Sequence, residues 1–435
     1  MSLWGWTATV MSISLLLLFN LASNQSDEIV PKGRSLYLRH CASCHGEKGK
    51  GDGPLAKFVN PPVPDLTEGV FKFRSTPSGT LPTDNDLKRT ISEGISSTPM
   101  MGVKGILTND EIEAIVAFVK TLCPDFQTKG SGNPISIEPP QFTPDLLKLG
   151  RQIYYEFQCN TCHGPNGDGD GPMAKSLKDS KGRSIRILSF RDPRNFKGGH
   201  SLIDIYRSIM TGLDGTPMAS FSEFLTEKEG WAVAYFVHSL IGKKDMKQSS
   251  NINVKVKRNE TNPFVLSDAS WAKLPIFELP LQSLWRTNKP ETVRVQVIGD
   301  GQNLNFRLSW DDSTRNGKGK FLDSVSIQVP QNLKSPIPSL FWGDNQSPVL
   351  VFRWFAGDKL TVFVARGLGN KVSQHYYNAK AKGVWQKGKW SVTLQVKLSE
   401  TFSRLPFAIS IWDASYGDEG ERRSITGWHW LEFSP

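Results

Sequence analysis

The sequence predicts a multidomain fold: two small, mainly α-helical modules in tandem, followed by an antiparallel β-sandwich. Three observations carry that prediction. The chain has 435 residues, enough for about three domains. Its first half repeats itself at a fixed offset of 118 residues, from Cys41 to Cys159. From about Asn262 onward it holds ten of the thirteen tryptophans and reads as short alternating runs between turn residues.

The N-terminus is apolar from Thr7 to Ala22, the length of a secretory h-region rather than of a full membrane span. Residues 1–25 therefore read as a signal peptide or an uncleaved N-terminal anchor. Either reading places the rest in the periplasm or on the outer face of the cytoplasmic membrane. No Lys or Arg precedes the run and Leu21-Ala22-Ser23 is a mediocre cleavage site, so both readings stand.

The first module spans residues 32–123. Arg34–His40 reads as a helix that delivers the run Cys41-Ala42-Ser43-Cys44-His45. The second module, 145–241, delivers Cys159-Asn160-Thr161-Cys162-His163 in the same way. C-x-x-C-H is the attachment signature of a c-type haem. The two thiols form thioethers with the porphyrin vinyl groups, and the adjacent imidazole ligates the iron. Cys41, Cys44, Cys159 and Cys162 are thus the expected attachment points for two haems c. His45 lies 55 residues before Met100 and His163 lies 55 before Met218, which offers each iron a thioether as its second axial ligand. The offset also decides between neighbours, because Met100 aligns with Met218 whereas Met101 aligns with Ala219. A zinc site would need further Cys or His ligands, and a redox dithiol would need neither the histidine nor the methionine. With both axial positions filled, no catalytic residue is expected.

Each module ends on a helix with a capping box, Thr108/Glu111 and Thr226/Glu229. Ile112, Ile115, Val116 and Val119 follow the first, and Val233, Phe236, Val237 and Leu240 the second, all at helical spacing. The polypeptide between is loop-rich, and a covalently held haem would stand in for much of the missing apolar core. Cys123 is left over, a buried inert thiol or a reactive one, and no disulfide framework follows from five cysteines so placed. Residues 124–144, rich in Gly, Pro and Ser, read as a linker. A second, basic linker covers 242–261 and contributes to a net charge of +10. It is a solvated segment or a docking site for an acidic redox partner. No aromatic interleaving accompanies the charge, which argues against a nucleic-acid partner.

This layout resembles class I cytochrome c across both modules. The resemblance implies that the carbonyls of Pro54 and Pro172 accept the proximal histidine's other N–H; plain turn chemistry after Gly-Asp-Gly is the other reading of these prolines. Arg74 is a candidate partner for a haem propionate, by the general preference of guanidinium for carboxylates.

The last domain, 262–435, is expected to build a sandwich from Thr292–Val297, Leu304–Trp310, Val325–Val329, Val349–Phe355, Trp390–Val396 and Phe407–Trp412. Three strings in it, Pro338–Trp354, Gly383–Leu398 and Phe407–Trp428, resemble the gamma subunit of the ethylbenzene dehydrogenase and nitrite oxidoreductase group of molybdenum enzymes. That resemblance implies a haem b held between a methionine and a lysine. Here Trp342 and Arg423 stand at those two places, and no methionine follows Met246. Arginine has no lone pair to offer a metal. His375 and His429 lie in no recognisable ligand context, so this domain is expected to lack haem b and to serve docking or structure.

The reading that follows is an electron relay without catalysis of its own. Its expected partner is the iron–sulfur subunit of a molybdenum oxidoreductase of the nitrite oxidoreductase or nitrate reductase type, another cytochrome or a terminal oxidase. The alternative is a free-standing dihaem cytochrome or peroxidase-like haem enzyme with a C-terminal binding module.

Overall fold

A computed structural model describes residues 28–242, 253–257, 271–286, 292–299, 302–374, 379–398 and 403–434. The expected leader or anchor, much of the basic linker and His375 lie outside the described residues. Among the described residues no helix is long and apolar enough to cross a membrane.

In the first module α1 (residues 28–40) leads into the one-turn helix α2 (Ala42–His45). There follow α3 (Asp84–Glu93), α4 (Asn109–Leu122) and α5 (Asp125–Thr128). The second module repeats the plan with α6 (Pro144–Glu156), α7 (Cys159–His163), α8 (Leu202–Thr211) and α9 (Glu227–Ser239). Both expected capping boxes form, at Thr108/Glu111 and Thr226/Glu229. A third, Thr83/Asp86, starts α3. The apolar faces of α4 and α9 are buried as their periodicity requires.

Glycine sets how closely the first and last helices of each module cross. A Cβ on Gly33 would lie 1.8 Å from the Ala114 carbonyl oxygen, and one on Gly150 would lie 1.9 Å from that of Ala232. The crossing pins each haem-motif segment against the capped helix. Cys123 is buried in an apolar cluster with Leu81, Leu87, Val116 and Phe126, which fits the inert alternative.

Residues 124–144 are held by both modules. Ile135 N–H donates to the Ser75 carbonyl at 2.8 Å and Gly132 N–H to that of Leu81 at 3.0 Å. Ile135 and Ile137 pack against the core of the second module, and the Tyr235 hydroxyl donates to the Pro140 carbonyl at 2.7 Å.

The third domain comprises β1 (Asn253–Lys257), β2 (Phe277–Pro280), β3 (Gln282–Ser283), β4 (Thr292–Gly299), β5 (Asn303–Asp311), β6 (Ser324–Pro330) and β7 (Val349–Phe355). It continues with β8 (Lys359–Ala365), β9 (Lys371–Ser373), β10 (Ala379–Gln386), β11 (Lys389–Lys397), β12 (Arg404–Trp412), β13 (Ser424–Ile425) and β14 (His429–Ser434). One sheet runs β1-β14-β12-β6-β7-β8-β9, with β13 paired to β12 and β3 to β13, and the other runs β10-β11-β5-β4-β2. A single apolar core, including Val295, Phe306, Trp310, Ile327, Phe352, Leu394 and Phe407, lies between them. All six expected strands form, and every described pairing is antiparallel except that of β1 with β14. Strand β1 falls inside the segment that reads as a basic linker.

Candidate haem sites and the interfaces around them

The two C-x-x-C-H segments are superposable in their bonding. His45 N–H donates to the Cys41 carbonyl, closing the turn of α2 that brings both thiols and the imidazole together. The turn after each histidine is tied back to its module: Tyr37 donates to the Gly46 carbonyl at 2.8 Å, and Tyr154 to that of Gly164 at 2.7 Å. The methionine loops match as well. Thr98 Oγ1 donates to the Ile95 carbonyl and Thr216 Oγ1 to that of Leu213, both at 2.7 Å. Met100 N–H and Met218 N–H in turn donate to those hydroxyls, both at 3.2 Å. Met100 and Met218 therefore sit in one backbone frame, and Met101 and Ala219 take the next place in it.

The residues present fit a covalently attached haem. Cys41, Cys44, Cys159 and Cys162 are free thiols. Burial pushes both His45 and His163 down to about 4, which keeps each imidazole neutral, the form that ligates a metal. The Nδ1 atoms of both rings are buried without a hydrogen-bond partner. The carbonyls of Pro54 and Pro172 thus take no hydrogen bond from them, in contrast to what the family resemblance implies.

Arg74 also departs from expectation. Its side chain is fully buried and reaches across to the second module. Nη2 donates to the Asp214 carboxylate at 2.8 Å and to the Thr211 carbonyl at 2.9 Å, while Nε and Nη1 donate to the carbonyls of Pro77 and Phe71. Four donors of the guanidinium are thereby committed to protein rather than to a propionate. Ser78 Oγ and Gly79 N–H join it on Asp214, at 2.7 and 3.0 Å. The reverse contact is made by Ser97 of the first methionine loop, whose Oγ donates to the Arg194 carbonyl at 2.7 Å. Between these two contacts, Arg89 of α3 and Arg207 of α8, which occupy duplicated positions, both donate to Asp204, at 2.7 and 2.8 Å.

The sandwich lies on the first module. Leu55 forms a buried cluster with Leu284, Phe341 and Ile425, and Cys44, Phe58 and Met101 pack against it. Ile106 packs against a second cluster containing Trp342, Trp412 and Trp428. Polar ties frame the contact: Arg39 to Asp344 at 3.0 Å, Asn60 N–H to the Leu284 carbonyl at 2.9 Å, and Trp430 Nε1 to the Gly105 carbonyl at 3.1 Å.

Trp342 and Arg423, far apart in the chain, meet inside the sandwich domain. The guanidinium carbon of Arg423 lies 4.2 Å from the Trp342 ring centroid, and both side chains are buried. Trp342 Nε1 donates to the Glu421 carboxylate, at 2.7 Å for the nearer oxygen, and Arg423 pairs with the same carboxylate. Burial would raise the Glu421 carboxyl, but the Arg423 charge and these hydrogen bonds outweigh it and hold it below the usual range. Arg353 covers the Trp412 ring at 3.6 Å, and Lys371 covers Trp342 at 4.3 Å. His429 is buried against Phe407, and burial pushes it down to about 3, so it is a neutral packing residue.

Residues 30–123 and 147–240 each match the cytochrome c family. A cbb3-type cytochrome c oxidase subunit CcoP from Azospirillum sp. (strain B510) is 26% identical over 230 residues, which cover 49% of this chain. The chain spans 62% of the length of that relative. Among solved structures, the Kuenenia stuttgartiensis reducing HAO-like protein complex Kustc0457/Kustc0458 shares 38% identity over 48% of this chain and 96% of that one, with a TM-score of 0.46. A family 9 carbohydrate-binding module from Caldicellulosiruptor kristjanssonii in complex with glucose shares 13% identity over 42% of this chain and 96% of that one, with a TM-score of 0.29. Residues 30–123 and 147–240 are two cytochrome c domains in tandem, of a family that holds haem c covalently and transfers electrons.

Proposed function

We propose that the chain is an exported electron relay carrying two haems c, one per module. Cys41 and Cys44 anchor the first, with His45 and Met100 as axial ligands. Cys159 and Cys162 anchor the second, with His163 and Met218. Each bound haem supplies a one-electron ferric–ferrous couple, whose potential a thioether ligand raises. The protein's part is to hold a neutral imidazole and a thioether in fixed frames, and to keep the two frames in register through Arg74, Asp214 and Asp204. The observation that carries this reading is the identical hydrogen bonding around Met100 and Met218, which a chance methionine would not share.

The sandwich domain acts in this reading as a docking and capping module without haem b. Support comes from Trp342 and Arg423, which stack on one another and share Glu421 instead of leaving an opening between them. The redox partner is a subunit of a larger oxidoreductase. The gamma-subunit resemblance suggests a molybdenum enzyme of the nitrite oxidoreductase type, and the similarity to a cytochrome oxidase subunit suggests a terminal oxidase. Pyridine haemochrome analysis of the purified chain tests the proposal. Two c-type haems and no extractable b-type haem per chain are expected, and a stoichiometric b haem would overturn the account of the third domain.

A further inference from the structure

The duplication allows one surface to be seen twice, once covered and once open. Leu55 and Met173 occupy the same position, with N–H groups donating to the carbonyls of Ser43 at 2.8 Å and Thr161 at 2.9 Å. Ile106 and Phe224 also correspond, each bonding back three residues at 3.0 Å, to Val103 and Phe221. In the first module the sandwich lies on this face: Leu55 is 0% exposed and Ile106 packs under the tryptophans. In the second module Met173 is 50% exposed and Phe224 66%. The Met173 backbone is bonded to Thr161, next in the chain to the attachment residue Cys162. Paired exposed apolar side chains beside a redox centre mark a contact surface. The chain leaving Met173 carries exposed Lys175, Lys178 and Arg186, while Lys181 pairs with Glu68 and Arg183 with Asp179. Such a rim attracts an acidic protein.

We infer that this face of the second module docks an acidic redox protein through an apolar patch, so that electrons cross the molecule's boundary there while the sandwich seals the equivalent face of the first module. The inference rests on the relay reading. One electron moves per encounter, lost by the partner's reduced centre and gained by ferric iron.

Full-length, haem-loaded protein tests it in stopped flow, with reduced flavodoxin, an acidic electron donor, as the probe. Met173→Glu/Phe224→Glu is expected to slow reduction by flavodoxin about tenfold at low ionic strength, leaving haem content, both potentials and the rate with dithionite unchanged. Lys318→Gln/Lys320→Gln, an equal charge change in the sandwich loop after Asp311, is expected to leave the flavodoxin rate within about twofold. Equal slowing by both variants, or none by the first, overturns the docking surface and leaves the relay standing. A wild-type dimer that the first variant dissociates would give the face to a second copy and also overturn it. Irons that dithionite cannot reduce would remove the relay, and this surface with it.

Discussion

Arg74 and Asp214 meet at 2.8 Å across the seam between the two cytochrome c domains, and Asp214 stands four residues before Met218. One module thus braces the methionine loop of the other. The guanidinium has little contact with water, so it relies on its acceptors for solvation.

Replacing Arg74 by Ala should leave Asp214 and the Thr211 carbonyl short of donors and cost about 2–4 kcal/mol. Arg74→Lys should recover less than half of that, because an ammonium cannot serve the same fork of acceptors. Denaturant unfolding followed by tryptophan fluorescence reports the loss, and a cost below about 0.5 kcal/mol would show the contact to be incidental.

Met100→Ala and Met218→Ala should each remove about half of the near-infrared sulfur-to-iron band of the oxidised protein, and together all of it. Met101→Ala should leave the band whole. A full band in either single variant would reassign that ligand.

Gly33→Ala drives a methyl group into the Ala114 carbonyl, which is backbone and cannot give way cheaply. Loss of the first haem with retention of the second is expected, so that haem per chain falls to about one. Gly150→Ala should do the reverse, and mass spectrometry of tryptic peptides identifies which attachment site has lost its haem.

Asp312 is buried beside Asp323 and Asp413, and burial first, then those two charges, push it up to about 6. The native state therefore holds its proton more tightly than the unfolded chain, whose carboxyl titrates near 3.8. Stability from this group is full below about pH 4 and is lost as pH rises through about 6. Asp312→Asn keeps the acceptor for Thr314 and removes the charge. It should stabilise the protein by about 1–3 kcal/mol at pH 7 and by nothing at pH 4. Thermal melts at the two pH values check it.

The haem segments were legible because their chemistry is local: C-x-x-C-H, a capping box and a repeated Thr-Pro-Met each act over a few residues. Duplication then matched the two distant methionines to one another, and the structure gives them one backbone frame. The six strongest strands were legible for the same reason, since alternation is a local pattern. Helices α3 and α8 gave a weaker signal between loop-rich segments, and β10 (AKAKGVWQ) has little apolar alternation to show. Contacts between domains were hidden altogether. Arg74 reads as a propionate ligand in isolation, and only the fold places Asp214 against it. Strand β6 presents Ser324, Ser326 and Gln328 on what looks like a solvent face, yet all seven of its residues are buried. The segment bearing Leu340 covers that face, with Gln328 Nε2 donating to the Leu340 carbonyl at 2.7 Å.

Arg89 and Arg207 come from duplicated positions and share one aspartate, and each methionine loop reaches into the other domain. Each half reaches into its own copy, an arrangement that approximates the two-fold contact of a homodimer. Joining two such copies by a tether already bound to both replaces a concentration-dependent association with a permanent neighbour. Within the linked pair the halves differ, since the sandwich covers Leu55 in one and leaves Met173 exposed in the other.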